Sequence, residues 1–207
     1  MNEPPESRSA DCYSAGERRV MHTTQRWRAY LLRPILPLLA ACKVNADSIT
    51  FLSLICGLAF CPLYFYRHDV ALLMLLLHVL LDGLDGPLAR YTGAASRRGS
   101  FTDSMADQTV LVATTITLML PPQPVLHVAA GAVYIFVYTL VVGFAMVRNA
   151  MAIPYSWVVR PRFVVYGWIA VELYWLSGSL TFVVWVCNAL LGWKVLTGFC
   201  KIRRRMT

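Results

Sequence analysis

The chain has 207 residues, 57% of them hydrophobic and only 14% charged. A soluble domain carries about 25% charged residues, so this composition excludes an ordinary water-facing surface and points to a membrane. The net charge of +8 does not indicate nucleic acid, because the basic residues sit in short clusters between apolar runs rather than in a stripe interleaved with aromatics.

Taken in chain order, residues 1–24 are polar, contain Pro4, Pro5, Ser7, Ser9 and Gly16, and read as a disordered arm. Residues 25–44 alternate Arg26, Arg28 and Arg33 with Trp27, Tyr30, Leu31, Leu32, Ile35 and Leu36. That pattern predicts a juxtamembrane amphipathic helix lying in the interface. Six apolar segments follow, near 48–66, 70–88, 100–120, 125–147, 163–179 and 180–199. Each approaches the ~20 residues that cross the hydrocarbon. The fold class expected is an all-α integral membrane protein with six transmembrane helices. Pro121-Pro122-Gln123-Pro124 and Ser177-Gly178-Ser179 mark turns. Residues 201–207 form a basic tail.

Every Lys and Arg except Arg67 and Lys194 falls on one side of that six-span arrangement. The positive-inside rule makes this side cytoplasmic, with both termini there. The six cysteines include no C-x-x-C pair. They predict neither a disulfide framework nor a zinc site.

The chemistry concentrates between Asp82 and Asp107. Asp82, Asp85, Asp103 and Asp107 stand at the cytoplasmic ends of the second and third spans, where carboxylates are expensive and face a cavity or partner. Asp82, Asp85, Gly86 and Ala89 share one helix face, and Gly99, Asp103 and Asp107 another. An antiparallel return lets the four carboxylates converge, and one or two hard divalent cations, Mg2+ or Mn2+, resolve the repulsion. Two such ions suit displacement at phosphorus. Gly86, Ala89 and Gly99 keep that space open. Glu172, in the fifth span, lies away from the aspartates and reads as a packing or dimer residue. His78 reads as a hydrogen-bonded helix residue. Trp27, Trp157, Trp168, Trp175 and Trp193 read as interfacial belt residues.

The run D-x-x-D-G-x-x-A-R, eight residues, then G-x-x-x-D-x-x-x-D is matched at Asp82, Asp85, Gly86, Ala89, Arg90, Gly99, Asp103 and Asp107. It resembles the signature of the CDP-alcohol phosphatidyltransferases, and the resemblance extends over the six-span region, residues 45–200. Ala46, Asp47 and Thr50 carry a weaker resemblance. The family implies that Asp82, Asp85 and Asp103 hold the metals. Asp107 would complete the site and act as general base on the acceptor hydroxyl. Asp85, Gly86, Ala89, Arg90 and Gly99 would form the CDP site. The donor expected is CDP-diacylglycerol, with CMP released, as in the bacterial-type members of an inner (plasma) membrane. The family also implies a homodimer.

The acceptor is left open by the signature. Arg148, Arg160 and Arg162 either anchor their spans or bind a phosphorylated acceptor such as glycerol 3-phosphate or inositol phosphate. Serine, inositol or choline are the alternatives. A cation transporter, from another class, would spread its acids over several depths instead of gathering them at one end.

Overall fold

The computed structural model describes residues 34–120, 122–151 and 160–206. The expected arm, residues 25–33 of the interfacial helix, Trp27 and Trp157 lie outside them. Seven helices make up the described residues: α1 (Ile35–Ala41), α2 (Ala46–Tyr64), α3 (His68–Tyr91), α4 (Arg97–Met119), α5 (Val125–Ala150), α6 (Pro161–Tyr174) and α7 (Ser179–Met206). The last six lie on the six apolar segments, with bounds that differ most at α6 and α7.

Local chemistry sets several boundaries. Ser96 is the N-cap of α4, its hydroxyl accepting a hydrogen bond from the Gly99 N–H at 3.0 Å. Pro161 opens α6, where its missing N–H costs nothing. Gly178, with φ 88°, makes the turn between α6 and α7.

Four helices are long and apolar enough to cross a membrane: Ala46–Tyr64, His68–Tyr91, Val125–Arg148 and Ser179–Arg205. Of the six helices on the apolar segments, α4 and α6 depart for different reasons. Helix α4 has 23 residues but carries Asp103 and Asp107. Helix α6 has only 14 residues, about 21 Å at 1.5 Å per residue. It ends at Tyr174 rather than running on to Ser179.

Helix α2 is the hub of the N-terminal half. Both α3 and α4 pack principally on it, while α7 packs on α5 and α6. Helix α4 also contacts α5, and α6 touches α3. The core runs through this arrangement from Phe60, Ala71 and Leu75 to Val110, Leu111, Tyr134, Ile169, Leu180 and Leu191. In α1, Leu36 is buried with Ile49 and Leu88.

At the turn before α7, Glu172 takes up the first-turn donors. Its Oε1 accepts from Gly178 N–H at 2.5 Å and its Oε2 from Leu180 N–H at 2.7 Å. Its packing role is thus a helix cap within the chain. Trp168 is half-buried and donates its indole N–H to Ser179 Oγ at 2.9 Å, so it braces the same turn. Trp175 and Trp193 are exposed.

Candidate active site

The aspartates reach one place from two helices that are bridged by a third. Asp82 and Asp85 are one turn apart on α3, and Asp103 stands near the start of α4. One oxygen from each of these three lies within 4.8 Å of the others. That spacing suits a shared hard cation with oxygen ligands. Asp82 and Asp85 are buried, so their charges need compensation where they sit.

Three of the four carboxylates, those of Asp82, Asp85 and Asp107, are held by the chain. Asp85 Oδ2 accepts from the Thr50 hydroxyl at 2.7 Å, and its Oδ1 accepts from the Gly86 N–H at 2.5 Å. Thr50 comes from α2, giving a physical role to a residue noted only for a weak resemblance. Asp82 Oδ2 accepts from Arg162 Nη2 at 2.8 Å. Asp107 does not belong to the compact group of three. It stands beside it and is ion-paired to Nη1 of the same Arg162.

Arg162 was expected either to anchor its span or to bind a phosphorylated acceptor. Its side chain is 4% exposed, and both Nη atoms are engaged by carboxylates of α3 and α4. Its pairing with Asp82 joins residues 80 positions apart, a separation that leaves no periodic trace in sequence. Arg148 is also buried. Its Nε donates to Phe144 O at 3.1 Å, and its guanidinium lies beside Gly198. Arg160 is exposed at the N-cap of α6.

The small residues of the signature line the same end. A Cβ on Gly86 would lie 3.4 Å from Arg90 Nη1, so the Arg90 side chain folds back along its own helix. A Cβ on Gly99 would lie 3.3 Å from Ser96 Oγ and 3.8 Å from Asp47 Oδ1. Asp47, in the first turn of α2, therefore faces the start of α4. Ala89 is half-buried one turn beyond Asp85.

One turn deeper, His78 is buried, with Nδ1 2.8 Å from Ser53 Oγ. This is the hydrogen-bonded helix residue expected of it. Thr50, Ser53 and Gly57 follow i, i+3, i+7, which puts Asp85, His78 and Val110 against one face of α2.

An archaetidylinositol phosphate synthase of Aeropyrum pernix is 36% identical over 93 residues, 42% of this chain. The match spans 48% of that relative's length, so the chain covers about half of it. The phosphatidylinositol phosphate synthase of Mycobacterium tuberculosis, solved with CDP-DAG bound, has the same fold. Its TM-score is 0.71 at 17% identity, covering 82% of this chain and 92% of that one. The same enzyme in complex with manganese and citrate matches with a TM-score of 0.69 at 19% identity, covering 84% and 88%. The CDP-alcohol phosphatidyltransferase family model matches residues 43–198, the whole of the region that builds the site. The chain belongs to the CDP-alcohol phosphatidyltransferase family.

Proposed function

We propose that the protein is an integral membrane enzyme that transfers a phosphatidyl group from CDP-diacylglycerol to a small phosphorylated alcohol, releasing CMP. The observation that carries this is the group of Asp82, Asp85 and Asp103 oxygens within 4.8 Å of one another, set in an intact family signature. A divalent cation, Mg2+ or Mn2+, fits that donor set, and two such ions would neutralise the diphosphate and favour the leaving group. Asp82, Asp85 and Asp103 would hold them, with Asp107 at the edge.

The chain's own residues do the rest. Asp85, Gly86, Ala89, Arg90 and Gly99 form the floor on which the CDP moiety would lie, its small residues leaving room for the ligand. Asp107 accepts the proton of the acceptor hydroxyl. The freed oxygen attacks the phosphorus that bears diacylglycerol, and the bond from that phosphorus to the CMP oxygen breaks. Thr50 keeps Asp85 from turning away during this exchange.

An anionic acceptor is favoured by Arg148 at the end of α5 and by Arg160, exposed at the N-cap of α6. The names of the relatives, an archaetidylinositol phosphate synthase and a phosphatidylinositol phosphate synthase, favour inositol phosphate over glycerol 3-phosphate as the acceptor. Helices α4 and α6, packed among the four apolar helices, would be the third and fifth of six spans, with the active site and both termini cytoplasmic. The segment at 25–44 would lie in the interface, and a homodimer is the assembly proposed.

The test is CMP release from labelled CDP-diacylglycerol in membranes supplied with magnesium or manganese and a panel of alcohols. Inositol phosphate or glycerol 3-phosphate should support release, and excess chelator should stop it. Asp82→Asn, Asp85→Asn and Asp103→Asn should each abolish transfer while the protein stays in the membrane. Arg160→Ala should raise the KM of the acceptor far more than that of the CDP-lipid. Preference for serine or free inositol would overturn the acceptor assignment. Full turnover in chelator would overturn the metal assignment.

A further inference from the structure

Arg162 enters the site from α6, outside the signature, and joins its two halves. Nη2 donates to Asp82 Oδ2 on α3 at 2.8 Å, and Nη1 pairs with Asp107 Oδ2 on α4. The Asp107 side chain is 17% exposed against 4% for Arg162 and 5% for Asp82, so Asp107 is the most accessible of the three. The ring of Phe163 lies under the guanidinium, 4.7 Å from Cζ to centroid. A guanidinium is a flat fork with fixed angles and a permanent charge. Holding one arm on Asp82 therefore sets where the other arm puts Asp107.

We propose that Arg162 is a positioning residue for the transfer: it fixes the Asp107 carboxylate relative to Asp82, tying the base to the cation-binding group, instead of holding the acceptor's phosphate. This rests on Asp107 being the base. A base must be held to a fraction of an ångström by side chains that cannot themselves move. Arg162 meets that condition because it is buried, stacked and engaged at both Nη atoms. An acceptor phosphate would have to draw it off two carboxylates to reach it.

The experiment compares Arg162→Gln, Arg162→Lys, Asp107→Asn and the double variant Asp107→Asn/Arg162→Gln, each purified full-length in lipid nanodiscs. Loss of a hydrogen bond to a charged group corresponds to about 10–100-fold in rate. Arg162→Gln should lower kcat by that factor while the acceptor KM stays within about 3-fold of wild type. Arg162→Lys should recover part of kcat, since it keeps the charge but not the fork. If Arg162 acts through Asp107, adding Arg162→Gln to Asp107→Asn should cost little more, within about 3-fold.

Titration of the metal-free protein with Mn2+, followed by electron paramagnetic resonance, gives a readout apart from turnover. Arg162→Gln should bind Mn2+ at least as tightly as wild type, because a cation beside Asp82 has gone. An acceptor KM raised about 10-fold or more with kcat nearly intact would overturn the proposal and make Arg162 a phosphate ligand. Multiplied effects in the double variant, or Mn2+ binding weakened in Arg162→Gln, would overturn it too. If Arg162→Gln does not yield a monodisperse protein, the kcat-against-KM split of Arg162→Lys decides. Wild-type protein that releases no CMP would instead sink the functional reading, and the Mn2+ titration would still judge the Arg162 contact.

Discussion

Adding one methyl group at Gly57 should disturb the aspartates from behind. A Cβ there would lie 2.5 Å and 2.6 Å from the two γ-carbons of Val110 and 3.2 Å from Cγ of His78. Carbon atoms pack comfortably at about 3.5–4.0 Å, so the shortfall is about 1 Å. Val110 is fully buried, and every staggered rotamer of its branched side chain leaves at least one methyl towards Gly57. Helix α4 must therefore move off α2. Overpacking of this kind costs about 1–3 kcal/mol, offset by about 1 kcal/mol because alanine favours the helix. Asp107 and Asp103 lie three and seven residues before Val110, on the same face of α4, and move with it. A misplacement of about 1 Å can cost on the order of 100-fold in rate. Gly57→Ala should thus lower the thermal unfolding temperature in detergent modestly and CMP release severely. Val110→Ala, which removes both offending carbons, should restore much of both when combined with it. A Gly57→Ala protein with wild-type stability and turnover would refute this account of the helix contact, as would a double variant no better than the single one.

Three further outcomes follow from single contacts. Thr50→Val keeps the shape but removes the donor to Asp85 Oδ2; Mn2+ affinity, read by titration, should fall by about 10-fold or more, and Thr50→Ser should retain it. Glu172→Ala strips two backbone N–H groups at the start of α7 of their acceptor and should cost about 1–2 kcal/mol of stability. Its kcat and both KM values should stay at wild type, and a drop in kcat would mean that the far turn communicates with the site. Gly99→Leu should weaken binding of CDP-diacylglycerol, measured by equilibrium binding in nanodiscs, because the added bulk enters between Ser96 and Asp47; unchanged binding would place Gly99 away from the ligand.

Helix placement was legible because apolar length and turn residues are local properties. The six apolar segments are helices near the expected positions, save that α6 stops at Tyr174, and the sequence did not show that Glu172 reaches on to Gly178 and Leu180 at the next helix. The aspartate pattern was legible for the same reason, since two helix faces encode it by spacing. The contacts that hold the aspartates were not. Thr50 to Asp85 spans 35 residues and Arg162 to Asp82 spans 80, and neither periodicity nor charge clustering encodes a pairing at such range. Arg162 and Arg148 read equally as span anchors and as acceptor ligands because a basic residue near a helix end looks the same in sequence whether it faces headgroups, an anion or a buried carboxylate. Nor could spacing tell that α3 and α4 meet chiefly through α2 instead of directly.

The two faces of α2 carry unequal obligations. Thr50, Ser53, Gly57 and Phe60 face the helices that bear the aspartates and are buried, whereas Phe51, Leu52, Ile55 and Leu58 are exposed. In a mutational library these should divide sharply: the first set intolerant of nearly every exchange, the second free to drift among apolar residues. A homology search or a redesign of acceptor preference that holds only the eight signature positions constant would therefore leave the site's foundation unguarded. Grafting this chemistry onto another helical scaffold would need that stripe of α2 transplanted together with the aspartates.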